Sequence, residues 1–168
     1  HNAGLSVTTA VQNTLIGGLA GDALTTGGEN VALGAYALTA EDTGRKNVAI
    51  GVQALLSQNS DVDNLNTAVG YLTGKSITTG VQNTLIGANA GDALTEGDQN
   101  VAVGYGALTQ DTLGNYSVAI GREALYAQNQ TTSTNTYNTA VGYKAGTSVT
   151  TGIRNTIIGG LAGDALTV

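Results

Sequence analysis

The chain has 168 residues, with 25 Gly, no Cys, Pro, Met, Trp or Phe, and a single His at position 1. That inventory excludes disulfides and thiolate metal sites, leaves no Ser/His pair or His-based metal centre, and means that any interior is built from Val, Ile, Leu and Ala. Six basic residues against twelve acidic ones give a formal charge of −6. With no aromatic-interleaved basic patch and no apolar run near 18 residues, the expectation is no nucleic-acid partner, no membrane insertion and no cofactor.

In chain order, Gly4 to Gln12 matches Gly74 to Gln82, so the sequence opens partway through a repeat. The first full unit starts at Asn13 with Asn13-Thr14-Leu15-Ile16-Gly17. Variants return at Asn30, Asn47, Asn66, Asn83, Asn100, Ser117, Asn138 and Asn155. The step is 17 residues except for 19 before Asn66 and 21 before Asn138. A longer period lies on top, because the NTLIG form restarts at Asn83 and, as NTIIG, at Asn155, giving blocks of four units. A fixed period near 20 residues predicts stacked coils, each burying its apolar side against its neighbours. Residues 1–168 then form a single repetitive segment, read as cut at both ends from a longer fibre.

With the first Asn or Ser of each unit as position 0, position +1 is always Thr or Val and position +3 is always Ile, Leu or Val. This alternation predicts a short strand with those two on one face. Position +2 points the other way and is also small and apolar: Leu15, Ala32, Ala49, Ala68, Leu85, Ala102, Ala119, Ala140 and Ile157. A strand apolar on both faces is covered on both. The expectation is that positions +1 and +3 face the coil interior and the +2 row meets a second layer, most economically a symmetry-related chain. Stacked Asn residues at position 0 are expected to hydrogen-bond from rung to rung.

A Gly at +4 in all nine units predicts a corner with positive φ or a contact too close for a Cβ. Ala at +7 in eight of nine units predicts a second short strand, followed by a polar return that absorbs the insertions. Nine rungs spaced like strands give a column about 43 Å long. The two insertions fall at 56–65 and 126–137, equivalent places in two blocks, and are expected to project from one flank. Their amides, hydroxyls, carboxylates and aromatic rings suit a glycan or protein receptor. The candidate contacts are Gln58, Asn59, Asp61, Asp63, Asn64, Tyr126, Gln128, Asn129, Gln130, Thr132, Asn135 and Tyr137.

The (N/S)-(T/V)-A-(I/V)-G core resembles the head repeats of YadA-type trimeric autotransporter adhesins. The longer NTLIGGLAGDAL form is similar to repeats of phage tail fibres. The 17-residue coil is longer than the adhesin unit. The resemblance implies a left-handed parallel β-roll, three identical chains about one axis, and a virion-borne or cell-surface fibre that contacts a host. The expected role is thus a structural and adhesive segment of a viral tail fibre, with a bacterial adhesin head as the alternative, and no enzyme activity.

Other readings have less behind them. An ice-binding face needs a regular Thr array, which Val interrupts at the second and third rungs. Asp22, Asp92 and Asp164 recur once per block, about 19 Å apart, too far for one chain to chelate a cation with them. A polysaccharide depolymerase needs two carboxylates across a groove, whereas Asp61 and Asp63 share one loop.

Overall fold

The computed structural model describes residues 2–168, and His1 lies outside the described residues. Nine three-residue strands stack in chain order into one parallel sheet. They are β1 (Thr14–Ile16), β2 (Val31–Leu33), β3 (Val48–Ile50), β4 (Thr67–Val69), β5 (Thr84–Ile86), β6 (Val101–Val103), β8 (Val118–Ile120), β10 (Thr139–Val141) and β11 (Thr156–Ile158). A two-residue pair, β7 (Gly114–Asn115) with β9 (Thr134–Asn135), stands beside it. Register follows the repeat: Ala32 lies against Ala49, and Ala49 against Ala68. The chain is an all-β parallel solenoid of about nine turns, as its period predicts.

Two devices close each turn. The Gly at +4 takes φ between +122° and +143°, and a Cβ on Gly87 would fall 2.6 Å from the carbonyl oxygen of Gly104 in the next rung. Only a residue without a side chain lets the rungs approach this closely. At position 0 the Asn30 amide N–H donates to Asn13 Oδ1 at 2.9 Å, while Asn30 Nδ2 donates to Gly44 O, at the end of its own turn, at 2.9 Å. Asn83 and Asn100 repeat both bonds. The Asn ladder therefore joins rung to rung and ties a turn's end to its start, except at Ser117, whose hydroxyl meets Thr136 Oγ1 in its own turn.

The expected second strand is absent among the described residues. After the corner the backbone runs through tight turns, with left-handed residues at +6 (Leu19, φ 60°; Tyr36, φ 60°) and at +8 (Leu38, φ 53°; Leu108, φ 55°). Left-handed residues break the pleat on which an alternating strand depends. Inter-rung bonds persist nevertheless, as in Tyr36 N–H to Gly18 O at 2.9 Å.

The interior explains the four-rung block. Each of the first eight turns carries one large inward aliphatic side chain outside the strand, at either +8 or +11. First and fourth rungs have Gly at +8 and an aliphatic at +11 (Leu24, Ile77, Leu94, Val149), whereas second and third rungs have Leu at +8 (Leu38, Leu55, Leu108, Leu125); all eight side chains are buried. A left-handed Leu costs about 1–2 kcal/mol, which burying its side chain, worth about 1.5–3 kcal/mol, offsets. Where two rungs with Gly at +8 adjoin, the space is filled from the strand. A Cβ on Gly74 would meet Leu85 Cδ1 at 2.9 Å, and one on Gly91 would meet Leu85 Cδ2 at 3.0 Å. Leu15 and Ile157 serve the same space beside Gly21 and Gly146. Large residues thus appear at +2 only once per block because only there do two neighbouring turns leave room.

Candidate functional site

The strand faces are the reverse of the sequence-based expectation. Ala32, Ala49, Ala68, Leu85, Ala102, Ala119 and Ala140 are 0% exposed, Ile157 is 7% exposed and Leu15 is half-buried, packed against the core. The +2 row is the interior wall, so a second chain cannot reach it. The physical reason is space: the coil is thin, and beside the large residue at +8 or +11 it admits only a methyl at +2 in most rungs.

Positions +1 and +3 face outward instead. Ile16, Leu33, Ile86, Ile120 and Ile158 are exposed, and Val31, Val48, Ile50, Val69, Val101, Val103, Val118 and Val141 are half-buried. The result is a flat ribbon, aliphatic apart from the Thr methyls and hydroxyls at +1, running the length of the column. Across the three strand residues, +1 to +3, this face is about 10 Å wide and about 43 Å tall, roughly 430 Å², about half of what one partner contributes to a standard interface. Soluble monomers rarely leave contiguous apolar patches of more than a few hundred Å² uncovered.

The insertions lie back along the column more than they project. The 56–65 segment bridges to Arg45 through Asp63, and β9 in the 126–137 segment pairs with β7. Each is anchored by a buried acid one rung earlier, in the +11 place that Leu fills elsewhere. Glu41 Oε1 accepts from the backbone N–H of Gly44 at 2.7 Å and of Ser60 at 3.4 Å. Asp111 Oδ1 accepts from Gly114 N–H at 3.2 Å and Gln130 N–H at 3.0 Å. A buried Gln then splices the longer turn into the Asn ladder. Gln58 Nε2 donates to Asn47 Oδ1 at 3.3 Å, and its Oε1 accepts from Asn66 Nδ2 at 3.1 Å. Gln128 Nε2 donates to Ser117 Oγ at 2.8 Å and Asp111 Oδ2 at 2.6 Å, while its Oε1 accepts from Asn138 Nδ2 at 2.8 Å.

These bonds remove four residues from the candidate contacts. Gln58, Asn64 and Gln128 are 0% exposed, because ladder groups of the longer turns need partners inside, and Gln130 is 5% exposed, with its backbone N–H on Asp111 and its Nε2 without a partner. Asn64 Oδ1 accepts from Asn47 Nδ2 at 3.0 Å, and its Nδ2 donates to Ser60 Oγ. Asn59, Asp61, Asp63, Tyr126, Asn129, Thr132, Asn135 and Tyr137 are exposed. Around the first insertion, Thr26, Thr43, Arg45, Asp61, Val62 and Asp63 line an open bowl of about 350 Å³. Lys46 pairs with Asp63 at 2.5 Å, and Thr43 Oγ1 donates to Asp61 Oδ1 at 2.8 Å. At the second, the rings of Tyr116 and Tyr137 stack at 5.3 Å with planes 8° apart. The two insertions are four rungs apart, about 19 Å, so their residues do not converge on one pocket.

Burial raises the Glu41 carboxyl above its usual 4.5, against the two backbone donors that favour its charge. Its Oε2 has no partner and shares a corner with Asn64 Oδ1, both crowding the space a Cβ on Gly44 would take. Burial also raises Asp92, partly countered by Lys75 at 3.7 Å. Among the described residues no group of three or more His, Cys, Asp or Glu side chains could hold a metal ion, and no helix is long and apolar enough to cross a membrane.

Sequence reasoning missed the outward ribbon and the exposed Tyr71, Tyr105 and Tyr143 at +5. The second signal was present, since the three Tyr occupy one slot on alternate rungs from the fourth to the eighth. In comparisons with known proteins, the chain matches no family model, no curated protein and no solved structure.

Proposed function

We propose that this column is a rigid, adhesive segment of a viral tail fibre in which three copies of the chain pack through the outward ribbon. The ribbon carries the reading: every rung from β1 to β11 has Ile, Leu or Val at +3 on the outward face, exposed in five rungs and half-buried in four. A second copy is the occupant whose rungs repeat at the same spacing, so each aliphatic row meets a row of equal pitch along the whole column. Assembly in threes follows from the repeat's resemblance to adhesin heads and tail fibres, and a bacterial adhesin head remains the alternative setting. The exposed tips of the insertions, around Asp61 and Thr132, are the surface offered to a host glycan or protein.

The test is the solution mass by light scattering. The expected mass is about three times the 16.7 kDa chain, falling to one chain in Ile86→Glu/Val103→Glu while the thermal melt stays cooperative. A wild-type monomer would overturn the assembly, and a trimer unmoved by the double substitution would overturn the ribbon as its interface.

A further inference from the structure

Along position +5, beside the ribbon, consecutive rungs carry Tyr71, Ala88, Tyr105, Arg122 and Tyr143. The backbone places them in one ladder: Asn89 N–H donates to Tyr71 O at 3.0 Å, Gly106 N–H to Ala88 O at 3.0 Å, Glu123 N–H to Tyr105 O at 2.9 Å and Lys144 N–H to Arg122 O at 2.9 Å. Tyr residues two rungs apart are separated by about 9.6 Å along the column, enough for one flat group between them. Between Tyr105 and Tyr143 that group is already present. The Arg122 guanidinium carbon lies 5.6 Å from one ring centroid and 6.0 Å from the other. Its charge is met by Glu123 at +6 of the same rung, with Nε donating to Oε1 at 3.1 Å and a terminal nitrogen 3.0 Å from the same oxygen.

Two rungs down the ladder the same Tyr spacing recurs without a long side chain between. Tyr71 and Tyr105 are 55% and 53% exposed, and the rung between them carries only the methyl of Ala88. Asn89 stands where Glu123 stands in the filled rung, and its Oδ1 is buried without a hydrogen-bond partner. Tyr143 is met by a second cation, Lys144 Nζ at 5.6 Å, whereas among the described residues no cation stands over Tyr71.

We propose that the slot over Ala88 receives the guanidinium of an arginine side chain from a partner protein. The molecule itself shows what such a slot holds. A cation between two aromatic faces gains from both ring quadrupoles, and the planar guanidinium stacks where a compact ammonium only touches. The chain's net charge of −6 draws basic segments toward it. The inference is independent of assembly through the ribbon.

The experiment follows the ring protons of Tyr71 and Tyr105 by NMR during titration with N-acetylarginine amide, with N-acetylcitrulline amide as the neutral planar control. Sample mass is checked by light scattering. Arginine is expected to shift both rings saturably, with half-saturation at roughly 10 mM for a lone side chain, and citrulline to leave them unmoved. Ala88→Arg fills the slot from within and should abolish the response. Arg122→Ala opens a second slot of the same kind and should bring Tyr143 into the titration. Equal shifts with citrulline or with methyl glucoside, or a response that survives Ala88→Arg, would overturn the proposal. So would a response that appears only once Ile86→Glu/Val103→Glu has lowered the mass, because the slot would then lie inside the chain's own interface.

Discussion

The interior of this solenoid and its outward ribbon exchange the usual roles of polar and apolar groups. Inside, the Asn ladder, Gln58, Gln128, Glu41 and Asp111 are buried beside Ala and Leu. Outside, Ile86, Ile120 and Ile158 stand in solvent. The buried polar groups persist because nearly every one is bonded along the stack, where the next rung supplies a partner at fixed spacing. The exposed aliphatics have no such compensation within one chain. What separates the two faces is whether a neighbour repeats at the same height.

The largest effect should come from breaking that rule inside. Ala49→Glu places an unpaired charge against the buried stack and should cost more than about 4 kcal/mol, abolishing the cooperative melt followed by circular dichroism. Survival of the melt with a changed oligomeric mass would mean that the +2 row faces a partner chain after all. Next is Gln128→Ala, which leaves Asp111 Oδ2 and Asn138 Nδ2 each one partner short. It should cost about 1–3 kcal/mol in denaturant unfolding. A loss no larger than that of a surface substitution would show that the second insertion is not held from within.

Glu41→Gln sharpens the comparison with the smallest change. Because burial raises this carboxyl, the folded state binds its proton more tightly than the unfolded state does. Its contribution therefore favours folding most below the unfolded value, near 4.5, and is lost as pH rises through the raised folded value. The amide carries no charge to desolvate and supplies a donor in the corner shared with Asn64 Oδ1. Glu41→Gln should melt higher than the wild type at pH 7, with the gap closing toward pH 4. A gap independent of pH would remove the titration of Glu41 as its cause.

The sequence by itself determined the stacked-coil architecture, the number of rungs, the Gly corners and the Asn ladder, because each follows from strict recurrence and a backbone demand that one residue type meets. Position 0 is best served by an amide that both donates and accepts, which eight of nine rungs supply and Ser117 replaces with a hydroxyl, and position +4 takes a positive φ, so both can be read from the repeat alone. Which side of a three-residue strand faces inward was decided only by the tertiary structure. With apolar residues at +1, +2 and +3 alike, alternation gives two faces without naming the inner one. The choice rests on volume, since the single Leu, Ile or Val from +8 or +11 leaves room for Ala49 but not for Ile50. Closure of the coil likewise decided that Gln58, Asn64 and Gln128 serve the stack, because the partners of these side chains are 8 to 17 residues away in sequence and come within hydrogen-bonding distance only in the folded column.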